Sequence, residues 1–154
     1  MKTVEKVTKS IYESLYNKSV LEVACGCAEF SITASKYAKC VNCIDIDENR
    51  LLEEIHSYSN IVFKKMDATD MRFDNASFDT IVMYNAIGHL SDVIEKIVNE
   101  CIRVLKSDGD IYIITTWKLD RAVINDKLLP FLESKNIRYY SYIKNETLYV
   151  RIVK

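Results

Sequence analysis

VLEVACGCAEF, residues 20–30, is the stretch on which the reading of this chain turns. A short apolar run of strand type ends in a loop of small residues, and helical spacing resumes from Glu29 to Lys39. The segment reads as strand, tight loop, helix. A loop this lean lets a ligand lie against backbone. Gly26 is free to take positive φ, whereas Ala24 and Ala28 add little bulk but are less permissive.

The same alternation extends outward in both directions. Val4, Val7, Ile11 and Leu15 are at helical spacing within residues 3–16, with Tyr12 and Tyr16 one turn apart, and predict an amphipathic leading helix. VNCIDI is a second buried strand, Asp47 is placed to cap a helix over ENRLLEEIHSY, and NIVFKK is a third strand. FDTIVMYN follows as a fourth strand, then a helix opened by Ser91 and ended by Gly109, with Ile94, Ile97, Val98, Cys101 and Leu105 in one stripe. DIYIITT is a fifth strand, and DKLLPFLESKN is a last helix with Pro130 in or near its first turn. RYYSYIK and TLYVRIVK flank Asn145-Glu146 as a hairpin.

Strand-type runs alternating with helices imply an α/β fold with a mostly parallel sheet covered on both faces, and the closing hairpin adds one antiparallel strand. At 154 residues, 49% of them hydrophobic, the chain reads as one α/β domain over residues 1–154, without repeat or linker. The net charge is −1, with 21 basic and 22 acidic residues mixed along the chain, so no basic stripe marks a nucleic-acid track. Charges interleave through MKTVEKVTKSIYESLY, and no apolar stretch reaches membrane-span length; the expectation is a cytoplasmic protein with no membrane partner. Five cysteines, an odd number, fit reduced thiols.

In open α/β sheets the ligand lies beyond the carboxyl ends of the strands, so the residues just after each strand carry the functional reading. They are Glu22 with Ala24-Cys25-Gly26-Cys27-Ala28, then Asp45-Ile46, then Asp67-Ala68, then Asn85, Gly88 and His89. Asp45 falls 19 positions beyond Gly26, near the spacing at which a carboxylate meets ribose hydroxyls. Asp67-Ala68 offers a side-chain acceptor and a backbone donor to a purine edge. Together these describe a nucleoside site with little phosphate character.

VLEVACGCAEFS, CIDIDENRL, KKMDATDMRFDNASFDTIVMYNAIGHL and ECIRVLKSDGDIYIIT, in this order, resemble the successive motifs of the class I S-adenosylmethionine-dependent methyltransferases, over roughly residues 19–116. The resemblance implies a Rossmann-like three-layer α/β/α fold, with a seven-stranded sheet in the order 3-2-1-4-5-7-6. It implies S-adenosylmethionine as cofactor and S-adenosylhomocysteine as product. Carried over by position, Glu22 would help hold the methionyl end, and Ala24, Cys25 and Gly26 would back the cofactor. Asp45 would take the ribose hydroxyls, Ile46 would lie on the adenine, and Asp67 and Ala68 would read its edge. Asn85 would reach the sulfonium and substrate, with His89 on the substrate side. The family usually has glycine where this chain has Ala24 and Ala28; the methyl of Ala28 is expected to press on the cofactor, that of Ala24 to matter little.

Other readings compete. Cys25-x-Cys27 and Cys40-x-x-Cys43 suggest a zinc site, but a parallel pair of strands separates the two motifs by most of a strand length, so no metal is expected. A dehydrogenase would show G-x-G-x-x-G where this chain has Gly26, Ala28 and Ser31. Trp117 either lines a substrate entrance or packs under its loop. The tyrosines at 139, 140, 142 and 149 read as sheet-face packing or, where exposed, as a homodimer contact. Tyr12 and Tyr16 either pack or fold over the cofactor as part of a lid from residues 1–18. The activity expected is methyl transfer by in-line displacement to a small-molecule acceptor, with a non-catalytic methyltransferase-fold partner as the alternative.

Overall fold

The computed structural model describes residues 1–154 and places seven strands in one sheet. β1 (Ser19–Val23), β2 (Cys40–Asp45), β3 (Ile61–Lys65), β4 (Phe78–Tyr84) and β5 (Leu105–Thr115) are parallel. β6 (Tyr139–Lys144) and β7 (Thr147–Val153) form the hairpin, with β7 antiparallel to both β5 and β6. The order is β3-β2-β1-β4-β5-β7-β6, with one reversed strand in a parallel sheet, as the motifs implied.

The central strands are nearly continuous apolar runs because both faces are covered, and alternation divides their side chains between two cores. Leu21, Ile81, Ile113 and Val150 join a cluster of 25 buried residues on one face; Val20, Val82, Ile114 and Tyr149 join a cluster of 18 on the other. The second cluster is covered by α1 (Thr3–Ser10), through Val4 and Val7, and by α3 (Glu29–Ala34), through Phe30 and Ala34. The first is covered by α4 (Ile94–Val104), whose buried stripe is Ile94, Ile97, Val98 and Cys101. No helix is long and apolar enough to cross a membrane.

Several local expectations give way to the structure. The leading helix breaks at Ile11, where φ is −115° and ψ 23°, into α1 and the single turn α2 (Tyr12–Leu15). The segment after Asp47 is a turn followed by a 3-10 stretch, Glu53–Ser57, rather than a helix from Glu48 to Tyr58. Asp47 Oδ1 accepts the Asn49 N–H at 2.9 Å, a local turn bond, and Ile55 is the one buried residue of the 3-10 stretch, so no apolar stripe holds a helix down. α4 begins at Ile94 without a side-chain cap, three residues after Ser91. Gly109 does not end it: α4 passes directly into β5, and Gly109 lies inside that strand. A Cβ there would come within 2.7 Å of the Asp79 carbonyl oxygen and 2.6 Å of Leu105 Cδ1.

The last helical segment begins at Asp120 rather than Asp126, as α5 (Asp120–Val123), a π segment (Ile124–Leu128) and α6 (Leu129–Ser134). Pro130 is therefore inside the rod. It lacks an N–H and its ring crowds the preceding turn, and the wider π turn just before it relieves both problems.

The close approach at Gly109 gives a direct test. Gly109→Ala is expected to lower stability by about 1–3 kcal/mol, as overpacking against fixed backbone does. A urea midpoint equal to that of the wild type would refute the contact.

Candidate active site

Strand order reverses between β1 and β4, and at such a reversal the diverging connections leave a crevice beyond the carboxyl ends of the strands. A cavity of about 600 Å³ lies there. Glu22, Ala24, Cys25, Gly26, Asp45, Ile46, Asp67, Ala68, Asn85 and His89, the ten residues expected from the motifs, all line it. Trp117 does too, 49% exposed at the end of β5, which decides between its two readings in favour of the cavity wall. None of residues 1–18 lines the cavity.

The loop after β1 is built from left-handed backbone at alternate positions: φ is 56° at Ala24, 55° at Gly26 and 67° at Ala28. This conformation costs an alanine about 1–2 kcal/mol, so the loop needs external hold. Two carboxylates provide it. Glu22, buried at the end of β1, accepts hydrogen bonds from the Ser31 N–H at 3.0 Å and from the Ser31 hydroxyl, tying the strand to the first turn of α3. Asp45, at the end of β2, accepts the Gly26 N–H on Oδ2 at 2.8 Å and the Asp47 N–H on Oδ1 at 2.9 Å. Each Asp45 oxygen keeps a lone pair for a further donor.

Two expectations about this loop are corrected. The Ala28 methyl is fully buried in the second core and does not line the cavity, whereas Ala24 does. The strand-length separation of the cysteines holds for Cys40, opposite Ser19, but Cys43 is opposite Glu22 near the end of β1. Cys43 is thus a neighbour of Cys25, and this neighbour together with burial pushes the Cys25 thiol up, keeping a protonated thiol on the cavity wall.

On the other walls, Asp67 Oδ1 accepts both the N–H and the hydroxyl of Thr69 at 2.8 Å, and these bonds hold it below the usual carboxylate range. Asn85 takes a left-handed backbone (φ 52°) and straps β4 to β5: its Oδ1 accepts the Thr116 N–H at 2.8 Å, and its Nδ2 donates to Thr116 Oγ1 at 2.9 Å. His89 ends the short 3-10 turn Ile87–His89 and is exposed. Gly88 in that turn packs under the Asp120 carboxylate, where a Cβ would collide. Burial pushes the Tyr84 hydroxyl up to about 12, and the negative charges of Glu29 and Glu22 add to it.

Sequence reasoning passed over Glu29, Phe30, Asp47, Arg50 and Tyr84, which also line the cavity. Phe30 and Tyr84, with ring centroids 5.8 Å apart, have the periodicity of core residues. In the sequence Asp47 has the place of a helix cap, and Arg50 lies in a segment of helical composition.

A family model described as a methyltransferase domain matches residues 20–109. The chain belongs to the methyltransferase-domain family. Its similarity to the uncharacterized methyltransferase YcgJ of Bacillus subtilis (strain 168) is 29% identity over 114 residues, covering 70% of this chain and 44% of YcgJ, so the chain spans less than half the length of that relative. Among solved structures it resembles a SAM-dependent methyltransferase from Aquifex aeolicus, with a TM-score of 0.79 and 22% identity over 98% of this chain and 90% of that one. It also resembles the 4+2 cyclase SpnF, with a TM-score of 0.72 and 16% identity over 88% of this chain and 58% of that one. The fold is thus that of the class I methyltransferases, whose cofactor is S-adenosylmethionine. The alanines at positions where this family usually has glycine keep the glycine-type backbone, as their φ values record.

The buried Glu22 makes a pH prediction. Burial, opposed by the two Ser31 bonds, pushes it up from 4.5 to about 8. A carboxyl raised in the folded state holds a proton that the unfolded chain has released, so its contribution to stability is full below about 4.5, declines as pH rises to about 8, and is level above. Glu22→Gln is expected to flatten that part of the stability profile in urea melts at several pH values. An unchanged slope would contradict the assignment.

Proposed function

We propose that this protein is an S-adenosylmethionine-dependent methyltransferase acting on a small-molecule acceptor, with the cavity at the β1/β4 reversal as its active site. The reading rests on one observation: the polar residues of four successive strand ends, which the motif order relates to cofactor binding, converge in one cavity. The wall suits the cofactor. Asp45 has acceptor capacity to spare for a cis-diol, and exposed Ile46 offers an apolar face to a flat base. Asp67 and Ala68 present an acceptor and a backbone N–H, while the loop at Ala24–Gly26 lies close behind with little side-chain bulk.

Bound S-adenosylmethionine supplies an electrophilic methyl group on a good leaving group. The task left to the chain is alignment and exclusion of water, and orientation alone contributes ~7–11 kcal/mol in favourable systems. Asn85 fixes the ends of β4 and β5 relative to each other through Thr116, which sets the wall where an acceptor would lie. Phe30, Tyr84, Leu90 and Trp117 make that side of the cavity largely apolar and aromatic, with no lysine or arginine, which favours a compact neutral acceptor over a polyanion. His89, on the cavity wall, is the histidine placed to take a proton from an acceptor.

A second reading keeps the cofactor pocket but not the transfer, and the Asn85 side chain, committed to Thr116, favours it. Calorimetric titration with S-adenosylmethionine and S-adenosylhomocysteine, with NADH and zinc as controls, tests the pocket first. Micromolar binding of the first two alone is expected, and Asp45→Ala is expected to weaken it by about tenfold or more with the fold retained. Absence of binding by either compound would remove the proposal. Binding without turnover across an acceptor screen would select the non-catalytic reading.

A further inference from the structure

The cavity wall is strongly unbalanced in charge. Carboxylates of Glu29, Asp45, Asp47 and Asp67 face a single guanidinium, that of Arg50. Arg50 follows the Asp47 turn, which replaces a helix there and brings the side chain back over the loop after β1. A Cβ placed on Gly26 would lie 3.4 Å from Arg50 Nη2 and 3.7 Å from Nη1, so the guanidinium rests directly on the loop backbone. Despite the surrounding acids, Arg50 takes part in none of the four salt bridges of the chain. Its planar fork of donors is therefore available to a ligand seated against Gly26.

We propose that Arg50 binds the α-carboxylate at the methionyl end of the cofactor, an inference that rests on the cofactor reading above. S-adenosylmethionine carries two positive groups, the sulfonium and the α-ammonium, and one negative group, the α-carboxylate. The acidic wall attracts the first two and repels the third, wherever it lies, except beside Arg50. A guanidinium matches a carboxylate with two parallel hydrogen bonds, a geometry that a lysine ammonium does not reproduce. The role is one of cofactor binding, with orientation of the methionyl arm as its consequence.

The test compares ligands with and without the carboxylate. Calorimetry is run on the wild-type chain and on Arg50→Gln and Arg50→Lys, with S-adenosylhomocysteine and with 5′-methylthioadenosine, which keeps the adenosine and thioether but lacks the amino-acid end. Arg50→Gln is expected to weaken S-adenosylhomocysteine by about 10- to 100-fold and 5′-methylthioadenosine by less than about threefold, with Arg50→Lys between wild type and Arg50→Gln for the first ligand. Equal losses for both ligands would assign Arg50 to the adenosine or to loop support and overturn the proposal, as would no loss for either. A wild-type chain that binds 5′-methylthioadenosine but not S-adenosylhomocysteine would overturn it while leaving a nucleoside pocket. A wild-type chain that binds neither removes the cofactor reading itself and the inference with it. Thermal melts of both variants exclude loss of fold as the cause.

Discussion

Two carboxylates hold the loop after β1 in place, and the cavity depends on them. Three of its residues at alternate positions take left-handed backbone, and two of the three are alanines that resist it. Glu22 fastens the far end of the loop through Ser31, and Asp45 fastens the middle through the Gly26 N–H. Both acids are on the ends of adjacent parallel strands, in register through the Glu22–Cys43 pairing, so the sheet itself sets the distance across which the loop is stretched. The rigidity of a ligand-facing loop here comes from charge-assisted bonds to backbone rather than from side-chain packing.

The same arrangement has an energetic consequence. Glu22 is fully enclosed, and its elevated pKa marks the cost of keeping a carboxylate there with only Ser31 as donor. A cationic group entering the cavity would offset part of that cost, and a neutral one would not. The side lined by Phe30, Tyr84 and Trp117 is apolar and aromatic, with the charges of Glu29 and Glu22 reaching Tyr84.

The resemblance to both a methyltransferase and a 4+2 cyclase shows how far this fold can be carried into different chemistry. The cavity at the β1/β4 reversal belongs to the topology, whereas the reaction depends on what the walls at β4 and β5 present. Here those walls are joined by the Asn85–Thr116 strap. The strap fixes the wall and at the same time occupies the Asn85 amide, so the position that the motif order assigns to substrate contact is also a structural joint.

The sequence by itself determined the sheet, its order and the lining residues at the strand ends. The strands and the residues at their ends follow from local patterning, since buried strands are short apolar runs and the residues after them are small or acidic; the strand order follows from the resemblance of the successive motifs to those of the class I methyltransferases. What only the tertiary structure decided lies where local preference and packing compete. The segment after Asp47 has helical composition but buries one side chain in its 3-10 stretch, so it stays a turn and delivers Arg50 to the cavity. Pro130 looks like a helix start, yet the apolar contacts of Ile124 and Leu128 carry the rod through it by way of a π turn. Gly109 looks like a helix stop, but the backbone of Asp79 on the neighbouring strand makes glycine necessary there. Ala28 and Cys43 are likewise placed by their neighbours, one in the core behind the loop and the other beside Glu22, because contacts between distant parts of the chain, rather than spacing along it, set which way a side chain points.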